Sequence, residues 1–363
     1  MPRIRQIILV AALVAAVVGM HFALRAIDKE FCLTQLTMSV YYAIVVIGLC
    51  IVMGYAGQVS LGHGAFFAIG GYTTAILTTH DFAEFQNAPW AQALKKAHVL
   101  VVKQDLFGGQ VMNVTPWAAF ITAMVVTLII AGLIGYPALR LKGHYLAMAT
   151  LGFGLIVSKI LLGSSFAGAA DGITGVPEWS FGGVLSISGK SALRVQNYYF
   201  ACGVAVVLLL LLQNLVSSRV GRAMLAIHDG ETAAGAMGIN TSAYKLKAFI
   251  LSALLAALAG VLFTHYTGGI SPSEAGALKS IRYVALAAAG GMASIWGGAI
   301  VSTVINFLSL RGWFGTYDNA VFGAILIIII SLAPEGPLKP MGLWIRRAAN
   351  RCFAGPRDEH GAA

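Results

Sequence analysis

Nine runs of apolar residues, most of them near helix-spanning length, leave this chain few ways to fold. They fall at about 7–27, 36–56, 59–79, 115–138, 144–162, 198–216, 247–270, 283–310 and 318–333. Each full-length run approaches the roughly 20 residues that a helix needs to cross about 30 Å of hydrocarbon. Lipid offers no partners for backbone N–H and C=O groups, so such runs must be helical. Composition agrees: 58% of the residues are hydrophobic and only 10% charged, against about 25% charged in a soluble domain. The expected fold is an all-α polytopic transmembrane helix bundle of about 8–10 spanning helices, with Gly-broken or re-entrant segments. Residues 1–340 read as one membrane domain and 341–363 as a basic cytoplasmic tail.

The net charge of +10 does not point to nucleic acid, because the basic residues sit at the ends of the apolar runs. That is where the positive-inside rule places them. Arg3 and Arg5 put the N-terminus in the cytoplasm, ahead of a first helix that is expected to be retained and not cleaved as a signal peptide. Arg140 and Lys142 mark a short inside loop, Arg219, Arg222, Lys245 and Lys247 a longer one, and Arg346, Arg347, Arg351 and Arg357 an inside tail. Both termini inside require an even number of crossings. Counting 283–310 as two, broken around Ser294–Gly298, gives ten, and a re-entrant pair would give eight. Loops 80–114 and 163–197 then lie outside, and 217–246 lies inside.

None of the fourteen acids lies in the middle of an apolar run. Ion-coupled carriers usually hold their coupling ion with an ionisable group at membrane depth, so energy is expected to come from outside this chain. The eight histidines form no two-ligand helical spacing, and the four cysteines form no CxxC or Cys/His pattern. Neither metal nor cofactor is expected. Ser60 and His63 lie three apart, but no acid is nearby to orient the histidine as a catalytic triad requires. No GxxxxGK[ST] sequence is present, so the chain is not itself an ATP-driven motor. A transport subunit, not an enzyme, is the expectation.

Two stretches carry more than hydrophobicity. Residues 54–72 read GYAGQVSLGHGAFFAIGGY, too glycine-rich for an undisturbed helix. Broken helices in membranes occur where backbone lines a cavity or is buried in protein. The segment therefore either lines a substrate path or makes a close helix crossing. For the first case the candidates are Gly54, Gly57, Gln58, Ser60, Gly62 and His63. A weaker echo, Gly290-Gly291-Met292-Ala293-Ser294, repeats the Gly-x-x-Ser pattern and adds Gly291 and Ser294 as path candidates. In the inside loop at about 217–246, Asp229 is expected to N-cap a short helix that Gly238 ends, and Asn240 or Thr241 to cap the next. Such a helix, with Ala233, Ala234 and Ala236 on it, suits docking in a groove of a partner, or serves as a capped interfacial connector.

Here the sequence resembles a known family. The spacing Glu231-x-Ala233-Ala234-x3-Gly238 resembles the EAA loop through which permeases of ATP-binding-cassette (ABC) importers meet their ATPases. The stretches from Gly54, Leu139 (LRLKGHYLAMATLGFG), Gly221, Ile270 (ISPSEAGALKSI) and Gly290 (GGMASIWGG) resemble the permeases of branched-chain amino-acid ABC importers, over about residues 36–340. Their order and the Leu139–Gly154 motif favour the M-type of the two homologous permeases over the H-type. The resemblance implies a permease subunit in a bacterial inner membrane that carries leucine, isoleucine, valine or a related solute. Its implied partners are a second homologous permease, two cytoplasmic ABC ATPases and a periplasmic solute-binding protein. Related permeases carry urea, short amides or aromatic acids, and a stand-alone secondary carrier is a further alternative. The resemblance also implies coupling roles for Arg222, His228, Asp229, Glu231, Ala233, Ala234 and Gly238, and a place near the path for Asp171 and Gly172 in a Gly-rich stretch. The chain departs from the family at His228, where Arg is usual, at Gly235, where Glu is usual, and in the length of loop 80–114.

Overall fold

The computed structural model describes residues 2–81, 95, 99–104, 110–139, 143–181, 185–312 and 315–332. Arg140, Lys142, the tail at 341–363 and most of the 80–114 segment lie outside these described residues. The helices, in chain order, are α1 (Pro2–Ala26), α2 (Cys32–Cys50), α3 (His63–Thr79), α4 (Pro116–Ala138), α5 (His144–Gly163) and α6 (Arg194–Ser217). They continue as α7 (Arg219–Asp229), α8 (Glu231–Ala236), α9 (Thr241–Thr267), α10 (Ala277–Ala289), α11 (Ile295–Leu310) and α12 (Asp318–Leu332). A π-helical turn, Ile51–Tyr55, extends α2. An all-α polytopic bundle is what results.

Burial sorts the helices by depth in the bundle. The apolar window of α2 and its π turn is 94% buried within the chain and that of α9 67%, against 28% for α4 and 22% for α5. Helices α2 and α9 therefore form the core, while α4 and α5 turn Ile129, Leu133, Ile156 and Ile160 outward. Lipid or the apolar surface of a membrane-embedded partner suits an outer face of that kind. Helix α3 packs along α9 at backbone distance. A Cβ on Gly70 would overlap the backbone of Ala257, and one on Gly260 the carbonyl of Phe67. Without a hydrophobic drive between helices in lipid, small residues that let backbones approach supply the packing.

Short strands, absent from the sequence-based expectation, finish the end of the bundle where α3 and α9 terminate. Strands β1 (Leu100–Gln104) and β2 (Gln110–Val114) pair antiparallel, Leu100 opposite Val114. Asn113 donates from Nδ2 to the carbonyls of Thr78 and His80, tying this pair to the last turn of α3. Strand β3 (Ile173–Thr174) pairs with β6 (Gly269–Ile270), directly after α9. Strands β4 (Trp179–Phe181) and β5 (Leu185–Ile187) pair beneath an aromatic cluster of Trp117, Trp179 and Phe181.

Candidate functional site: two broken helices and a coupling element

The glycine-rich run does break. Helix α3 begins only at His63, and residues 56–62 are non-helical. His63 Nε2 lies 2.6 Å from Ser252 Oγ, and Ser252 is about 16 Å along α9 from Thr241. The non-helical stretch thus climbs from the end of α2 to the middle of the bundle. A second break does the reverse. After α9 and β6 the chain turns back through a 3-10 turn, Pro272–Ala275, and α10 starts at Ala277. Glu274 on this turn accepts a hydrogen bond from Tyr42 Oη at 3.2 Å. Tyr42 is about 15 Å along α2 from Cys32, in the middle of a candidate span.

The two breaks therefore meet at mid-depth. The Gly64 amide, in the first turn of α3, donates to Ser280 Oγ in α10 at 3.1 Å. A Cβ on Gly64 would stand 3.2 Å from the Glu274 carbonyl oxygen. Lys279 Nζ lies 3.0 Å from Glu274 Oε1 and 3.2 Å from Tyr42 Oη, with the ammonium 4.6 Å from the Tyr42 ring centroid. Glu274 is 8% exposed and bonds Tyr42 at the middle of a candidate span, which puts an acid level with the middle of the bundle. This corrects the premise of the acid inventory, that no acid stands at mid-span, and leaves the expected outside energy source untouched. Glu274 falls between apolar runs in the sequence, but a turn that re-enters the bundle carries it back to the middle of α2. The segment Ser271-Pro272-Ser273-Glu274-Ala275-Gly276 held the signal: breaker residues between two apolar runs, too few to form an external domain.

The path candidates occupy several kinds of site. Gln58, Ser60 and His63 are buried, and Gln58 Oε1, Ser60 Oγ and His63 Nδ1 have no hydrogen-bond partner among the described residues. Gly54 is packed so tightly that a Cβ would overlap the Met292 carbonyl, and Tyr55 Oη donates to the Ala293 carbonyl at 2.7 Å. Gly62 N-caps α3 against the Thr150 carbonyl. The echo noted in the sequence has a structural counterpart: Gly57 and Gly291 both have positive φ, +67° and +85°. Each begins a turn that leads into a helix, although Ser294 Oγ caps α11 by accepting from Gly297 N while Ser60 Oγ caps nothing. Asp171 is exposed in the loop before β3, and Gly172 packs against the Ile270 carbonyl. They lie at the far end of α9 from the 54–62 break.

The inside loop, expected to be a coupling element, is built differently from its sequence-based outline. Asp229 is the last residue of α7 and caps nothing; Ser218 is the cap of α7, accepting from Val220 N, and Gly230 precedes α8. An amphipathic α7 competes successfully for Asp229 because Gly221, Met224 and Ile227 on one face are buried. The end of α8 follows the expectation. Gly238, at φ +82°, and Ile239 donate to the carbonyls of Gly235 and Ala234, and Asn240 Oδ1 accepts from Ala243 N. Glu231 bridges to Lys245 at 2.6 Å, fastening α8 to the start of α9. Ala234 is buried, whereas Arg222, His228, Asp229, Ala233 and Ala236 are exposed. The α7 end touches the first break: a Cβ on Gly57 would stand 2.9 Å from His228 Nδ1.

Comparison with known proteins fits this architecture. High-affinity branched-chain amino acid transport system permease protein LivM of Salmonella typhimurium is 29% identical over 326 residues, covering 84% of this chain and 69% of its own. LivM of Escherichia coli K12 is 28% identical over the same shares. The permease protein LivH of Salmonella typhimurium is 23% identical, covering 83% of this chain and 92% of its own. No solved structure matches. The family described as branched-chain amino acid transport system / permease component matches residues 31–330, which include both breaks and helices α7 and α8, and the chain belongs to that family.

Proposed function

We propose that this chain is a membrane-spanning permease subunit of an ABC importer that carries branched-chain amino acids across a bacterial inner membrane. The observation that carries the reading is the family match over residues 31–330, with LivM-type relatives more similar than LivH-type ones. In this reading a second, homologous permease completes the path. Two ATPases dock on α7 and α8, and a solute-binding protein delivers substrate at the end formed by β1–β6. Chemistry on the substrate is not required: ATP hydrolysis on the partner chains drives the switch, and this chain supplies the path.

The contact between Gly57 and His228 gives the switch a short mechanical route. A push on α7 reaches the break at 56–62 directly, and through Tyr55 and Ala293 it reaches the turn at 290–294 between α10 and α11. The test is leucine uptake by the complete complex in proteoliposomes. Uptake is expected to stop when ATP is removed and to persist when an uncoupler collapses the proton gradient at constant ATP. The uncoupler arm has force because Glu274 sits at membrane depth. Loss of uptake there would make the chain an ion-coupled carrier and overturn the proposal.

A further inference from the structure

The meeting point of the two breaks has the chemistry of a binding site. Helices α3 and α10 both present N-termini there, and both begin at glycines, Gly62 and Gly276, that offer no side-chain cap. The first amides of a helix lack intrahelical acceptors and carry the positive end of the dipole. Lys279 adds a full positive charge in the first turn of α10. Opposite it, Glu274 uses only Oε1; among the described residues its buried Oε2 has no partner, and the buried Tyr283 hydroxyl is likewise unpartnered. Positive and negative groups thus stand side by side, each with bonding capacity left over.

The position supplies the second argument. The Lys279 side chain is 31% exposed and its neighbours Ser271 and Ser273 are exposed, although Tyr42 holds the cluster at the middle of a spanning helix. A charged group facing hydrocarbon at that depth costs about 3 kcal/mol or more, so groups of this kind face a water-filled path or protein. Discontinuous helices whose half-helix ends point at a substrate at mid-membrane are a recurrent transporter design.

We propose that Glu274 and Lys279, with the N-termini of α3 and α10, bind the zwitterionic head of an amino acid on the translocation path. The α-carboxylate lies on Lys279 and the first amides of α10, and the α-ammonium on Glu274 Oε2; the N-terminus of α3, whose Gly64 amide is held by Ser280, contributes through its dipole. In the empty site the two side chains neutralise each other, and in the loaded site each exchanges part of that pairing for the opposite charge of the substrate. The arrangement favours a zwitterion over neutral urea or amides and over acids that lack an amine. It rests on the importer reading above and assigns the residues that recognise its substrate.

The test uses the complete importer with its native cysteines replaced and Ser273→Cys as a reporter beside the site. Leucine is expected to slow modification of that cysteine by a charged thiosulfonate reagent at least fivefold. Leucinamide, lacking the carboxylate, and 4-methylpentanoate, lacking the amine, are expected to leave the rate unchanged. Glu274→Gln and Lys279→Gln should each abolish protection and reduce leucine uptake more than tenfold. The protection arm keeps both charged residues, so it does not depend on how the variants fold. Leucine uptake without protection, or equal protection by all three compounds, overturns the zwitterion site and leaves the importer reading standing. No uptake of any amino acid by the intact complex overturns both.

Discussion

Gly57 carries two constraints that a side chain would violate separately. Its φ of +67° costs an L-residue about 1–2 kcal/mol, and a Cβ would press on His228 Nδ1 at 2.9 Å. Gly57→Ala is therefore expected to lower the thermal stability of the purified complex and its uptake per ATP hydrolysed. Adding His228→Ala should restore the ratio of uptake to hydrolysis but not the stability, because the backbone cost remains. If Gly57→Ala changes neither quantity, the contact between break and coupling helix does not transmit anything. At this scale the sequence was partly legible. Gln58, Ser60 and His63 stood out because polar groups among glycines interrupt an apolar run, and the fold does bury them around a break. Glu274 did not stand out, because linear distance from apolar runs is a poor measure of depth once the chain folds back. Its partner Tyr42 lies 232 positions away, a pairing that no local pattern encodes.

Among the elements, helices were legible wherever apolar length alone decided them. Run 144–162 became α5 (His144–Gly163), and run 115–138 became α4 with Pro116 at its first turn, where a missing N–H costs nothing. The short strands were not legible, since two- to five-residue pairs arise only when loops meet above the bundle. Helix α7 was hidden by Asp229, whose capping propensity lost to burial of Met224 and Ile227. The outcome refines the coupling element. Ala234 is 4% exposed and seats α8 on its own chain, whereas Ala233 faces outward. Ala234→Trp should thus destabilise the permease itself, by about 1–3 kcal/mol as overpacked sites do. Ala233→Trp should leave permease stability within about 0.5 kcal/mol and weaken ATPase association more than tenfold in co-purification. Normal ATPase association in the Ala233→Trp complex would remove α8 from the interface.

For the whole molecule, α9 fixes the sidedness without a count of crossings. It has 27 residues, about 40 Å of helix, enough to exceed a hydrocarbon core of about 30 Å. Gly235 stands shortly before its start, and β6, which pairs with β3, follows its end. The loop at Ala170 leads into β3, so positions 170 and 235 are separated by one full crossing whether the chain makes eight passes or ten. Both positions are exposed. The breaks leave parity unchanged, because 56–62 with α3 and 268–276 with α10 each complete one passage, part extended and part helical. The positive-inside rule predicts the absolute direction: Arg219, Arg222, Lys245 and Lys247 flank Gly235, which is expected on the cytoplasmic side. Single cysteines placed at 170 and 235 in a cysteine-less chain are therefore expected to react from opposite faces of the membrane. Position 170 should react with an impermeant thiol reagent added to spheroplasts, and position 235 only after the membrane is opened. Reaction of both from the outside would mean that α9 does not cross, and the half-helix arrangement around Glu274 would lose the frame that places it at mid-depth. Reaction of 235 alone from the outside would keep that frame and invert it, putting α7 and α8 out of reach of any ATP-hydrolysing partner.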